Sequence, residues 1–134
     1  MLAYIEILRP LNCFMGAIAV WIGSLVAGAP LYPGEPVLFA MASAFLICGG
    51  GMAINDYFDT EIDRINRPKR PIPSGRMKKD SAFVYSIFLL LAGITLSYFI
   101  NTNAFYTAIT VSAILLSLMW SSAKPLLCYS QRRE

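Results

Sequence analysis

Long apolar stretches separated by short polar breaks dominate the chain. Each of four such stretches is close to the roughly 17–25 mainly apolar residues that a transmembrane helix requires. The four stretches are residues 11–29, 37–54, 81–100 and 104–122. The first is longer than the roughly 7–15 residues of a signal-peptide core, so we expect it to be retained. The pattern predicts an all-α membrane protein with four transmembrane helices in a single domain, residues 1–134.

Small residues recur where these helices could approach one another closely. Ala19, Gly23 and Ala27 are spaced four apart in the first stretch, and the run Gly49–Gly51 lies near the end of the second. In lipid, small residues let helix backbones pack closely, whereas bulky side chains hold them apart. We therefore expect both groups to serve helix packing.

Composition and charge place the chain in the membrane class and orient it. Hydrophobic residues make up 57% of the chain and charged residues only 14%, which is typical of membrane proteins. Basic residues occur before the first stretch, between the second and third, and after the fourth, whereas the turns at 30–36 and 101–103 contain none. The positive-inside rule predicts a multi-pass protein of the cell membrane, with both termini and the polar loop 56–80 in the cytoplasm. The net charge of +3 then reflects topology, and no nucleic-acid partner is expected.

The polar loop opens with a cluster of acidic residues, written NDYFDTEID at positions 55–63. If the second helix continues through this run at about 100° per residue, four polar side chains share one face and Glu61 points away. These four are Asn55, Asp56, Asp59 and Asp63. Clustered carboxylates repel one another, and a chain without histidine offers the oxygen ligands that Mg²⁺ or Ca²⁺ prefers. Because Mg²⁺ is often held by one or two carboxylates plus substrate phosphates, this face is a candidate half-site for a metal-bound diphosphate.

A basic, proline-rich segment, NRPKRPIPSG at positions 66–75, follows the acidic face. Its three prolines restrict the backbone, and guanidinium groups such as those of Arg67 and Arg70 can bind phosphate oxygens in a bidentate manner. Two simpler interpretations stay open. The acids and bases could neutralise one another as a solvated end of the helix, or the basic residues could anchor the loop to anionic lipid headgroups.

These motifs resemble those of a known family. NDYFDTEID resembles the NDxxDxxxD motif of the UbiA superfamily of intramembrane prenyltransferases, and NRPKRPIPSG is similar to the loop that follows it there. Near the N-terminus, RPLN at positions 9–12 resembles the family's first-helix signature, and the pair Asn12-Cys13 is similar to the archaeal branch whose members form digeranylgeranylglyceryl phosphate. The similarity extends over nearly the whole chain, but over only about the first half of a typical member.

The resemblance implies a nine-helix bundle, of which the four predicted helices form the first part. It implies a Mg²⁺-dependent transfer of a geranylgeranyl group from geranylgeranyl diphosphate to geranylgeranylglyceryl phosphate, with release of diphosphate, in archaeal ether-lipid synthesis. The expected partners are these two lipid substrates and the surrounding membrane lipids. The implied ligands of Mg²⁺ and the donor diphosphate are Asn55, Asp56, Asp59 and Asp63, of which the three aspartates are the catalytic residues. The implied phosphate contacts are Arg67, Arg70 and Lys124, and the residues implied to face the substrate cavity are Arg9 and Asn12.

The sequence departs from the family pattern at two places. Trp120 stands four residues before Lys124, where family members often carry a tyrosine, and the family's second aspartate-rich motif is absent from the chain. We therefore expect a truncated or split member that is weakly active or inactive alone, with a partner chain as one source of the C-terminal half.

Two other functions compete with this one. A UbiA-type enzyme with an aromatic quinone precursor as acceptor would use the same donor site. A small membrane protein that binds divalent cations without chemistry would need only the acidic face. Substitution Asp59→Asn separates chemistry from simple membrane assembly, because only the enzyme requires diphosphate binding that depends on Mg²⁺.

Overall fold

The computed structural model describes residues 2–104, 106–114 and 116–117, and in these ranges the regular secondary structure is all helical, with no strand. Five helices are bounded as α1 Leu2–Leu8, α2 Pro10–Val26, α3 Glu35–Phe58, α4 Thr60–Asn66 and α5 Lys79–Tyr98. Residues 102–104, 106–114 and 116–117 are also helical. The predicted all-α class is therefore confirmed over the described part of the chain.

The number of membrane spans differs from the prediction. Helices α3 and α5 are each long and apolar enough to cross a membrane, and α1 with α2 makes a third candidate if this bent pair is one span. The described residues thus contain two clear spans and up to three, so four spans are not confirmed. The predicted span 104–122 extends beyond the described residues, and its described part is helical.

The first span is broken at Arg9, where α1 and α2 meet at an angle of 46°. Arg9 has a left-handed backbone, with φ 48° and ψ 65°, and Pro10 opens α2. Proline restricts the preceding residue and suits the first position of a helix, because it lacks the N–H that would be unpaired there. The sequence pair Arg9-Pro10 thus ends one helix and starts the next.

Helix α3 lies centrally and packs against α1, α2 and α5. Glycines lie at its close approaches: a Cβ on Gly49 would overlap the Leu8 side chain, and one on Gly93 would lie 2.7 Å from Ile47. Beside Gly93, the Ser43 hydroxyl donates to its carbonyl at 2.8 Å. The predicted packing role of the glycine run is confirmed at Gly50, where an added Cβ would lie 3.1 Å from the Ser86 carbonyl oxygen of α5, whereas one on Gly23 would meet nothing within 4 Å.

The polar loop rests on an apolar cluster that joins it to three helices. This cluster contains Ala3 and Ile7 of α1, Ala53 of α3, Ile72 and Met77 of the loop, and Ala82 of α5. Because loop residues are buried here along with helix residues, the segment after α4 is fixed against the bundle. Its charged side chains are held at the end of α3 that carries the acidic motif.

Candidate functional site

The acidic motif lies across the junction of α3 and α4, with Asp59 between the two helices. Helical hydrogen bonding is nearly continuous through it, since the Asp59 N–H donates to the Asn55 carbonyl at 2.9 Å and the Asp63 N–H to the Asp59 carbonyl at 2.8 Å. The buried Thr60 hydroxyl lies 3.0 Å from the Asp56 carbonyl and 2.8 Å from the Tyr57 carbonyl. Such back-bonding is common where helices bend. The residues therefore keep helical spacing as far as Asp63, although α3 and α4 are two separate helices that meet at Asp59.

A polar cavity of about 470 Å³ opens beside this junction. Its lining residues are Arg9, Asn55, Asp59, Ile62, Asp63, Asn66, Arg67 and Arg70. The structure thus brings together three of the four residues predicted on the acidic face, both predicted loop arginines, and Arg9 from the α1–α2 junction. Carboxylates and guanidinium groups face the same space.

Asp56, the fourth residue of the predicted face, lies outside this lining. It is only 3% exposed. One of its carboxylate oxygens accepts from Arg9 Nη2 at 2.5 Å and from Arg70 Nη1 at 3.2 Å. Arg70 Nη1 also donates to Asp63. Asp56 therefore holds two guanidinium groups that themselves line the cavity.

This ion-pair network gives the cavity wall fixed positive groups. Buried charges are tolerated when they are paired and hydrogen-bonded, and the side chains of Arg9 and Arg70 are 29% and 16% exposed. Arg67 differs, because it is exposed and forms no ion pair with any residue in the described ranges. Its guanidinium group is available to an anion that enters the cavity.

Asp59 lies in surroundings that disfavour the charge of its carboxylate. Burial raises the pKa of the Asp59 carboxyl above its usual range, and the nearby Asp63 carboxylate raises it further. Arg70, a hydrogen bond from the Asn55 side chain, and Arg9 act in the opposite direction. A divalent cation at this position would remove the repulsion between the two carboxylates.

The cavity residues fit a hard divalent cation that also binds a phosphate ligand. Within the described residues, no three His, Cys, Asp or Glu side chains are grouped closely enough to hold a metal by themselves. Asn55, Asp59 and Asp63 nevertheless present one amide and two carboxylate groups to the cavity. Mg²⁺ is commonly bound by one or two carboxylates, with waters and substrate phosphates completing its octahedron.

Some predicted site residues lie elsewhere. Asn12 is exposed and does not line the polar cavity, and Lys124 lies outside the described residues. Glu61, predicted to point away from the acidic face, makes an exposed pair with Arg64 at 3.5 Å. The sequence reasoning missed Asn66, although its position one helical turn after Asp63 is a periodicity signal that could have found it.

The site thus consists of an acidic motif and clustered arginines at the end of an apolar helix that is long enough to cross a membrane. The chain belongs to the UbiA prenyltransferase family, whose model matches residues 16–131.

Several curated relatives carry one name. The chain is 43% identical over 118 residues to digeranylgeranylglyceryl phosphate synthase of Thermococcus kodakarensis, covering 88% of this chain and 43% of that protein. It is 42% identical over 120 residues to the protein of the same name from Methanopyrus kandleri, covering 90% and 44%. The chain therefore spans less than half the length of these relatives.

A solved structure supports the same relationship. It comes from work on digeranylgeranylglyceryl phosphate synthase in membranes and matches with a TM-score of 0.82 and 37% identity. The match covers 87% of this chain and 42% of that one. The described helices thus have a UbiA-like arrangement.

Proposed function

We propose that the polar cavity binds the diphosphate of geranylgeranyl diphosphate with Mg²⁺, and that the protein serves in geranylgeranyl transfer to geranylgeranylglyceryl phosphate in archaeal ether-lipid synthesis. The observation that carries this proposal is the meeting of Asp59 and Asp63 with Arg9, Arg67 and Arg70 in one cavity at the end of a membrane helix. The names of the relatives support the donor and acceptor. The match covers less than half of those relatives, so transfer is expected to require the remaining part of their length, in the same or a second polypeptide.

In this proposal Asn55, Asp59 and Asp63 hold the cation. Mg²⁺, when bound, supplies positive charge that stabilises the diphosphate as it leaves. The two carboxylates repel each other, since the charge of Asp63 contributes to the raised pKa of Asp59. A divalent cation bound between them would remove this repulsion.

The arginines contact the phosphate oxygens. Arg67 is exposed in the cavity and Arg70 is held there by Asp56 and Asp63, so both present donors to an incoming anion. Bidentate guanidinium groups match the geometry of phosphate oxygens and keep their charge at any physiological pH. Asp56 acts through Arg9 and Arg70 in this scheme, as a positioning residue. The phosphate contact of Lys124 stays a prediction, and so does a place for Asn12 in a wider substrate cavity, because Asn12 does not line the polar cavity.

An apolar cavity of about 500 Å³ follows the same helix away from the polar cavity. It is lined along α3 by Ala40, Ala44 and Cys48, and it also contacts α5 and the helical residues after 102. At a rise of about 1.5 Å per residue, Cys48 lies roughly 10 Å along the axis from Asn55. An isoprenoid chain whose diphosphate sits in the polar cavity would find apolar surface in this direction, which favours a lipid donor over a soluble one.

The chemistry proposed is a substitution at the first carbon of the donor. The bond from that carbon to the diphosphate oxygen breaks, the free hydroxyl oxygen of the acceptor forms the new ether bond, and the hydroxyl proton is released. Negative charge develops on the diphosphate as it leaves. Guanidinium groups that are already held in place stabilise this charge without reorganising during the reaction. The reaction also requires that water be kept from this carbon, and the apolar cavity along α3 favours such an environment for the lipid part of the donor.

Orientation in the membrane is part of the proposal. Seven of the eleven basic residues lie between the start of α4 and the first residue of α5, which supports a cytoplasmic location for the cavity.

Binding and transfer can be measured with labelled geranylgeranyl diphosphate on the purified protein in lipid nanodiscs. We expect Mg²⁺-dependent retention of the donor, and a loss of at least about 100-fold in Mg²⁺-dependent binding or turnover with Asp59→Asn. Glu61→Gln is the matched control, since Glu61 lies outside the cavity. Mg²⁺ binding with no affinity for any diphosphate would favour the non-catalytic cation-binding protein, and transfer only to aromatic acceptors would favour the quinone branch.

A further inference from the structure

One arginine outside the cavity uses its whole guanidinium group to join the loop to α1. Arg76 Nη1 donates to Glu6 Oε2 at 2.6 Å and Arg76 Nη2 to Glu6 Oε1 at 3.0 Å. Arg76 Nη2 also donates to the Lys69 carbonyl at 2.5 Å, and Nε donates to the Ser74 hydroxyl at 3.0 Å. The preceding Gly75 has φ 75°, a conformation that strongly favours glycine and directs the chain into this arrangement.

These contacts complete a closed ring of residues that includes two residues of the cavity lining, Arg9 and Arg70. Glu6 lies three residues before Arg9 in the chain, and Lys69 directly precedes Arg70. At one end of the ring Arg76 joins Glu6 to the Lys69 backbone, and at the other end Asp56 accepts from both Arg9 and Arg70. Each of the two cavity arginines is thus held in two ways. Its side chain is held by the ion pair with Asp56, and its backbone is held through the neighbouring residues that Arg76 joins.

The Glu6–Arg76 pair is poorly placed to contribute much to stability. Its side chains are 45% and 47% exposed, and exposed pairs of this kind typically contribute only about 0–1 kcal/mol. The loop and α1 are already joined by buried Ile72 and Met77 packed with Ala3 and Ile7. Removing the ion pair should leave this apolar contact intact and allow only the charged segment of the loop to move.

We propose that Glu6 and Arg76 are positioning residues, which set Arg9 and Arg70 for contact with the diphosphate. The inference rests on the proposed function of the cavity, because it assigns these residues to phosphate binding there. Loss of the pair should weaken diphosphate binding more than binding of the metal alone, since Arg76 contacts Glu6, Lys69 and Ser74 and none of the proposed metal ligands.

The test is equilibrium binding to the purified full chain, with inorganic diphosphate plus Mg²⁺ as one probe and Mg²⁺ alone as the other. Glu6→Gln is expected to raise the dissociation constant for diphosphate about tenfold, because misplaced contacts are costly even when the fold is retained. Arg76→Lys keeps the charge but loses the bidentate geometry, and should give a smaller loss. The double variant Glu6→Gln with Arg76→Gln should bind no worse than Glu6→Gln alone, since the pair acts as one unit.

Glu61→Gln is the matched control, since it removes the acid of another exposed pair, Glu61–Arg64, which lies outside the ring and the cavity lining. Unchanged diphosphate affinity in Glu6→Gln, with normal binding by the wild type, overturns this inference alone. A large fall in the unfolding temperature of both Glu6→Gln and Arg76→Lys would make the pair structural and would also overturn it. Absence of diphosphate binding by the wild type overturns the proposed function itself, and the inference with it.

Discussion

Two aspartates three positions apart in one motif have different partners. Asp56 is 3% exposed and accepts from two guanidinium groups. Asp59 faces the cavity, and its pKa is raised by burial and by the charge of Asp63. The carboxylate of Asp56 is therefore the shared partner of two arginines, whereas the charge on Asp59 opposes folding in the absence of a cation. The same chemical change at the two positions should have opposite effects on stability.

Asp56→Asn should destabilise the protein. Removing this carboxylate leaves Arg9 and Arg70 without their shared partner in a largely buried place, and breaking a buried pair in this way costs about 3 kcal/mol. Thermal or denaturant unfolding in detergent measures the change. An unfolding temperature equal to that of the wild type would mean that the network carries no stability.

Asp59→Asn should slightly stabilise the metal-free protein at neutral pH. Because the folded-state pKa of Asp59 is raised, the folded protein binds this proton more tightly than the unfolded chain does, and stability falls as pH rises through that pKa. The gain from Asp59→Asn is therefore present above the folded pKa and disappears as pH falls below the unfolded pKa of about 3.9. Unfolding temperatures of variant and wild type across acid and neutral pH, without divalent ions, provide the measurement. A gain that grows toward acid pH would contradict the assignment.

At the scale of elements, helix packing depends on a few glycines. A Cβ on Gly93 of α5 would lie 2.7 Å from a carbon of Ile47, 3.1 Å from the Ser43 carbonyl oxygen and 3.2 Å from the Ile47 nitrogen. Two of these three atoms belong to the backbone of α3, so no rotamer change can relieve the contact. The hydrogen bond from Ser43 to the Gly93 carbonyl lies at the same crossing.

Gly93→Ala should therefore separate α3 from α5 and cost about 1–3 kcal/mol. Gly23→Ala is the matched control, because its added Cβ meets no atom within 4 Å and alanine is the better helix former by about 1 kcal/mol. Unfolding temperatures of the two variants in the same detergent should move in opposite directions. Equal and small changes would show that the crossing tolerates a methyl group.

At the scale of the whole molecule, charge and cavity lie at one end of the helical bundle. The acidic motif, the basic loop and the ring around Arg9 are all close to the junction of α3 with α4. The turn between α2 and α3, where Tyr32 is 87% exposed, contains no basic residue. The two ends of α3 are therefore expected on opposite sides of the membrane.

Labelling of introduced cysteines tests this orientation. With a membrane-impermeant maleimide on intact cells, Tyr32→Cys should react from outside, whereas Lys78→Cys should react only after the membrane is opened. Both positions are exposed, so a cysteine that does not react lies on the side of the membrane that the maleimide cannot reach. The unaltered chain, with its three cysteines, gives the background. The reverse pattern would place the cavity outside the cytoplasm.

Local patterns predicted the parts of the molecule that depend on neighbours in sequence. The all-α class and the family followed from apolar runs and the NDYFDTEID motif, and both are confirmed. Helical spacing also placed Asn55, Asp59 and Asp63 on one side, and they do line one cavity. Their role as metal ligands stays a prediction.

What the sequence did not reveal depends on contacts between distant residues. Arg9 and Asp56 are separated by 47 positions, and Glu6 and Arg76 by 70, so no periodicity in the chain links them. The break at Asp59 was missed because helix propensity continues across it. The first apolar run gave no sign that the helix before it bends by 46° at Arg9.

The left-handed backbone of Arg9 has a consequence for motion. A non-glycine residue in this conformation is strained by about 1 kcal/mol, and the ion pair of its side chain with Asp56 helps to hold it there. A phosphate in the cavity offers the guanidinium group a second partner. As Arg9 exchanges one partner for the other, we expect α1 to tilt relative to α2, together with the loop to which it is joined. A fluorophore attached at the exposed position 2, which lies outside the cavity, would then change its signal when the anion binds.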